Sequence, residues 1–151
     1  MKRIVLIACV SKKGDKKVKA EDLYISTLFK NSMAYAKKQK PDKIFILSAL
    51  HHLLELDKEI APYDVTLSYI NPQKRKAKPQ LKILTKTEAK KWGETVVSQL
   101  KHVSDLQKDT FIILAGQSYL KPIQKFLTKI EQPLKGLKQG ERVKFLADKV
   151  L

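Results

Sequence analysis

The sequence predicts an α/β domain of three layers, with a mainly parallel central sheet and helices on both faces. Three observations predict it. Short apolar runs at Arg3 to Val10, Lys43 to Ser48 and Thr110 to Ala115 are rich in β-branched residues and bounded by charge or turn residues. That is the pattern of strands buried on both faces. Stretches with helical spacing of apolar residues separate these runs. The 151 residues contain no internal repeat and no linker, so residues 1–151 read as a single domain.

Each element has its own signal. After the first strand, residues 11 to 20 form a lysine-rich loop with Gly14 and Asp15. Residues 21 to 39 carry Leu23, Leu28, Phe29, Met33, Tyr35 and Ala36, a helical stripe that Pro41 and Asp42 end. Ser26 is placed to cap it. The second strand is Lys43 to Ser48, followed by a turn or short helix over His51 to Leu56. Ala61 to Asp64 is a loop, and Val65 to Tyr69 a short strand. Asn71 to Gln80 (NPQKRKAKPQ) reads as a basic, proline-bounded loop. Thr85 and Glu88 form a capping box. It opens a helix whose inner face is Ala89, Trp92, Val96, Leu100 and Val103. The third strand, Thr110 to Ala115, turns at Gly116 into a helix over Tyr119 to Ile130. A last helix covers Gly140 to Leu151.

Charge is the strongest compositional fact. Lysine and arginine total 31 against 15 acids, a net +16. A domain so basic fits a polyanion partner. Arginine occurs only at Arg3, Arg75 and Arg142, so the coat is lysine. Lysine is a mobile point charge, whereas arginine reads phosphate or guanine through two parallel bonds. The expectation is phosphate attraction with little sequence readout. The single cysteine, Cys9, excludes an intramolecular disulfide framework and fits a reducing compartment. No apolar run reaches membrane-span length. MKRIVLIACV runs straight into SKKGDKK without a cleavage site, so it reads as a strand rather than a signal peptide. A cytoplasmic protein with no membrane association is expected.

In open α/β sheets, ligands bind beyond the carboxyl ends of the strands. Those ends carry Cys9, Ser11, Lys12 and Lys13; then Ser48, His51 and His52; then Gly116 and Tyr119. A lysine desolvated there has a lowered pKa and becomes a nucleophile; the bland alternative is a small buried cysteine and a solvated loop. Asp22 and Tyr24 flank the same cleft, with a helix-dipole acid as the plain reading of Asp22. Tyr63 and Asp64 pair an aromatic that can stack on a base with a carboxylate that can orient water. A turn at Pro62 with a buried Tyr63 explains them equally well. Adjacent histidines make a poor metal pair, and no metal or other cofactor is expected. The chain has no glycine-rich loop of the Walker or dinucleotide type, and no Gly-x-Ser-x-Gly elbow.

Four segments carry a resemblance: Ile7 to Lys13, Glu21 to Phe29, Leu47 to Leu54, and Ala61 to Leu67. They resemble a family of bacterial and phage domains of unknown function that is similar to the YaaA stress proteins. Trp92, Leu114-Ala115-Gly116 with Tyr119, and Pro133-Leu134-x-Gly136-Leu137 with Gly140 extend the resemblance over nearly the whole chain. One position departs. The family pattern has a lysine and then His-Gly-Leu-Leu, where this chain has Leu50-His51-His52-Leu53-Leu54. Cys9-x-Ser11-Lys12-Lys13 and Tyr24-x-Ser26 also resemble the core domain of archaeosine synthase, and these groups resemble the uracil-DNA glycosylase fold. The resemblance implies a pocket that accepts a nucleobase flipped out of the helix. The presence of relatives around phages implies a modified base and a role in antiviral defence.

Together these readings give a DNA glycosylase that hydrolyses the N-glycosidic bond of a flipped, modified base, with DNA favoured over RNA. Lys13, Lys74, Arg75, Lys76 and Lys78 would hold phosphates. The base would meet Cys9, Ser11, Tyr24, Ser48, His51, Tyr63, Gly116 and Tyr119. Asp22 or Asp64 would activate water, and Lys12 or Lys13 is the competing covalent nucleophile. A non-catalytic DNA-binding stress protein is the alternative.

Overall fold

A computed structural model describes residues 1–150. Strand β1 (Arg3–Ala8) is followed by the short β2 (Val18–Lys19), α1 (Ala20–Leu23) and α2 (Thr27–Lys38). Then come β3 (Lys43–Ser48), β4 (His52–Glu55), β5 (Glu59–Ile60) and β6 (Val65–Thr66). The rest is α3 (Pro72–Ala77), β7 (Lys82–Ile83), α4 (Lys86–Val103), β8 (Thr110–Leu114), α5 (Gln117–Gln124), β9 (Lys129–Glu131) and α6 (Gln139–Val150). Leu151, which the sequence reading included in the last helix, lies outside the described residues.

The main sheet has the order β4-β3-β1-β8-β9. β1 pairs in parallel with β3 (Ile4 opposite Lys43) and with β8 (Ile4 opposite Phe111), and only β4 runs antiparallel. Ile4, Val5, Leu6 and Ile7 of the central strand are all buried. Each such side chain contributes about 1.5–3 kcal/mol of transfer free energy. The continuous apolar run was therefore the correct sign of a strand covered on both faces.

The helices form two pairs against this sheet, an arrangement compatible with three layers. In one pair, α2 meets α6. Asn31 Nδ2 donates to the Val143 carbonyl, and the Tyr35 and Phe145 rings lie 6.3 Å apart. In the other, α4 meets α5. Gly93 permits the approach, because a Cβ there would lie 2.5 Å from the Pro122 carbonyl oxygen. Gln99 of α4 accepts from the Leu53 amide and so ties β4 to the same layer. The Thr85–Glu88 capping box is present as expected. Among the described residues, no helix is long and apolar enough to cross a membrane.

Several local expectations need correction. The helix expected over residues 21 to 39 is two helices. Tyr24 bridges Lys13 in an extended conformation, and Ser26 then caps α2 by accepting from the Phe29 amide. The backbone pairing with the Lys13 loop outweighs helical propensity there. His51 to Leu56 contains a strand, because β4 completes the edge beside β3. The basic stretch 71–80 contains α3, capped by Asn71 with Pro72 in its first turn. The helix expected to run to Ile130 stops at Gln124, and Lys129–Glu131 pairs with β8 instead.

Candidate functional site at the strand ends

The chain passes from β1 to β3 on one side of the sheet and later to β8 on the other. The sheet therefore changes winding direction around β1, where its carboxyl-end crevice is the expected ligand position. Three groups meet across this crevice. Cys9 follows β1, Ser48 ends β3, and Tyr119 lies in the first turn of α5 after β8. Cys9 Sγ lies 3.3 Å from Tyr119 Oη. Tyr119 Oη is also 3.4 Å from Thr66 Oγ1 and accepts from the Leu67 amide.

A second chain of hydroxyls starts at Ser48. Its Oγ accepts from the His51 amide at 2.9 Å and lies 2.7 Å from Tyr63 Oη, which lies 2.6 Å from Tyr24 Oη. The Trp92 indole donates to the Ser48 carbonyl at 2.8 Å and sets its ring edge-on to Tyr119. Burial pushes the Tyr24, Tyr63 and Tyr119 phenols up, so all three stay protonated at neutral pH.

This network sorts the expected base-binding residues. Cys9, Tyr24, Ser48 and Tyr119 are buried. They form the buried part of the network, and the Tyr24 ring packs on Phe29 at 4.9 Å. Tyr24 is thus unavailable for stacking on a base. Tyr63, His51 and Gly116 are half-buried, and Ser11 is exposed. These four keep access to solvent.

Lys13 joins that group. Its Nζ lies 4.4 Å from the Tyr63 ring centre and 5.7 Å from that of Tyr24. Its backbone segment is fixed on both sides: the Gly14 amide donates to the Leu23 carbonyl, and the Ile25 amide to the Lys12 carbonyl. Among the described residues, no carboxylate stands within ion-pair distance of Lys13. Burial lowers its pKa; the charges of Cys9 and Asp64 act upward, and that of Lys78 acts downward. Burial therefore favours the neutral amine more than full solvation would, against the opposing charge of Asp64.

The other sequence candidates lie outside the network. Lys12, Asp22 and Asp64 are exposed, and among the described residues no side-chain hydrogen bond or ion pair ties any of them to the cluster. Lys74, Arg75, Lys76 and Lys78 stand together on α3 and its end. His51 meets Tyr63 edge-on at 5.3 Å, and burial, then the charges of Lys58 and His52, hold its imidazole below the usual range. It is therefore neutral at pH 7 and offers a hydrogen bond rather than a charge.

Sequence reasoning missed three residues of this end. Trp92 was read as an inner-face helix residue and a mark of the resemblance, not as part of the site, but its indole donates to the Ser48 carbonyl. Thr66 reaches Tyr119 from the short β6. Arg142 lies beside Gly116: a Cβ at Gly116 would be 3.6 Å from its guanidinium. No linear signal links Arg142 to Gly116. Being one of only three arginines in a lysine coat was the available hint.

Two surface depressions, of about 490 and 400 Å³, lie at the opposite end of the sheet. One is lined by Lys2, His102 and Asp109 and the other by Lys43 and Glu55, and neither reaches the hydroxyl network. Chemistry rather than volume therefore marks the candidate site.

No curated protein and no solved structure matches the chain. A family model does match it over residues 4–148, from β1 into α6, and so takes in both the sheet and the whole strand-end cluster. The chain belongs to DUF6884, a family of unknown function.

Proposed function

We propose that this chain is a DNA glycosylase that takes a flipped, modified base into the crevice beyond β1, β3 and β8 and cleaves its N-glycosidic bond. The observation that carries the reading is the Lys13 amine, held over Tyr63 beside a buried hydroxyl network, with no carboxylate in ion-pair distance among the described residues. The parallel sheet with helical pairs supports the likeness to the uracil-DNA glycosylase fold. The surplus of lysine supports a phosphate-bearing partner.

The exposed positions of Asp22 and Asp64 favour the amine over carboxylate-activated water. The neutral Lys13 Nζ attacks C1′ of the target nucleotide. A nitrogen–carbon bond forms as the bond from C1′ to the base breaks. The base leaves with the electron pair and takes a proton from solvent. Loss of an amine proton and opening of the sugar ring give an imine, and water hydrolyses it, restoring Lys13 and leaving an abasic aldehyde. His51 and Tyr63 offer hydrogen bonds to the base edge.

The test is base release. Purified protein is incubated with duplexes carrying normal, uracil, hydroxymethylated or glucosylated bases, and free base is sought by mass spectrometry. Release from one duplex supports the reading. Salt-sensitive binding without release from any duplex contradicts it and supports a second reading, a non-catalytic DNA-binding protein. That alternative is favoured by the closure of the Tyr24–Tyr63–Ser48 network on itself.

A further inference from the structure

The segment between β6 and β7 has an unusual balance of exposure and charge. Tyr69 is 81% exposed, the most exposed aromatic side chain among the described residues. Two residues later Asn71 caps α3, and no residue of α3 is buried. A helix normally forms in a protein because one face packs. This one is held by local bonds: the Asn71 side chain accepts from the Lys74 amide, and the Arg75 guanidinium donates to the Lys78 carbonyl. The segment carries Lys74, Arg75, Lys76 and Lys78 and no acid.

The segment also stands at the site. Leu67, two residues before Tyr69, donates its amide to Tyr119 Oη in the buried part of the network. The charge of Lys78 is near enough to act on Lys13. An exposed aromatic beside an acid-free cationic helix matches nucleic acid in both respects: phosphates meet the ammonium groups, and an unstacked base meets the ring.

We propose that Tyr69–Lys78 is a DNA-engaging arm, in which α3 binds phosphates flanking the target and Tyr69 fills the gap left in the duplex by the flipped nucleotide. The proposal rests on the base-flipping reading above and adds to it the residue that holds the duplex open. Side chains that insert between base steps stabilise such distorted DNA. Tyr69 makes no contribution to chemistry at C1′.

The experiment compares two duplexes of the same sequence, one intact and one with a central tetrahydrofuran abasic analogue, which provides the gap without requiring base release. Wild type is expected to bind the gapped duplex about tenfold tighter. Tyr69→Ala loses that preference and keeps its affinity for the intact duplex, while Tyr69→Trp retains it. Lys74→Ala with Lys76→Ala weakens both duplexes equally and reduces the salt slope by about two. A Tyr69→Ala protein that keeps the preference overturns the proposal, as does a wild type without one. Loss of the preference in Tyr69→Ala, with no base released from any modified duplex, keeps the arm and removes the hydrolytic reading.

Discussion

Lys13 Nζ lies 4.4 Å from the centre of the Tyr63 ring, and the Tyr63 hydroxyl lies 2.7 Å from Ser48 Oγ. One side chain thus connects the half-buried amine to the buried end of β3. The cation lies over the ring while the phenol's oxygen is anchored below, so Tyr63 is at once wall and support. The Lys13–Tyr24 backbone bridge fixes the main chain that carries the amine.

This relationship sets a pH dependence. Burial lowers the Lys13 pKa, so its reactive neutral form appears at lower pH than for a solvated lysine. Base release is expected to rise with pH, with a midpoint below the ordinary value of about 10.4. Asp64 favours the charged form and Lys78 disfavours it. Asp64→Asn therefore moves the midpoint down and Lys78→Met moves it up. Rate–pH profiles of the three proteins check the order. Loss of all activity in Asp64→Asn would instead identify that carboxylate as the base.

The same shift enters stability with a definite sign. Below the lowered folded pKa, Lys13 is charged in both folded and unfolded chains, and its burial penalty is fully present. As pH rises from that value towards the unfolded one, the folded protein holds fewer protons and the penalty is relieved. Urea midpoints of wild type relative to Lys13→Met are expected to rise over that window.

Tyr63→Phe removes the hydroxyl that joins Tyr24 to Ser48. Buried polar groups left without a partner cost about 1–3 kcal/mol. Ser48→Ala is expected to cost a similar amount, and the double variant less than the sum, because both break one chain. Denaturant melts of the three variants measure the coupling.

His52 adopts a left-handed, glycine-like backbone, with φ of 62°. The left-handed conformation costs a side-chain-bearing residue about 1–2 kcal/mol. Part of this is recovered on mutation to glycine, whose unfolded chain is more disordered by about 0.4–1 kcal/mol. His52→Gly is expected to stabilise by about 0.5–1 kcal/mol, and His52→Val to destabilise. Thermal melts decide the sign.

Gly93→Ala places a Cβ 2.7 Å from that of Pro122 and 2.5 Å from its carbonyl oxygen. Both atoms sit on α5, so the helix pair must separate. A loss of about 1–3 kcal/mol is expected. At roughly 2–4 °C per kcal/mol, a thermal melt resolves it.

The sheet was legible because β1, β3 and β8 are continuous apolar runs, which leave little doubt about burial. The short strands were not, because β4 and β9 are defined by the neighbour they pair with rather than by their own residues. Much of the candidate site was legible for a related reason: strand ends are fixed once the strands are known. Lys13 and Lys12 could not be separated from sequence, since their difference arises from pairing with Tyr24, a contact distant in the linear pattern. The division of the polar residues into buried and solvent-accessible groups was equally invisible. It depends on which hydroxyls meet.

The most direct test of the central claim is borohydride trapping on a duplex bearing a modified base, followed by mass mapping of the adduct. The account predicts a covalent protein–DNA product on Lys13 in the wild type, and none in Lys13→Met. Base release without any trapped adduct, or an adduct on another residue, would contradict it.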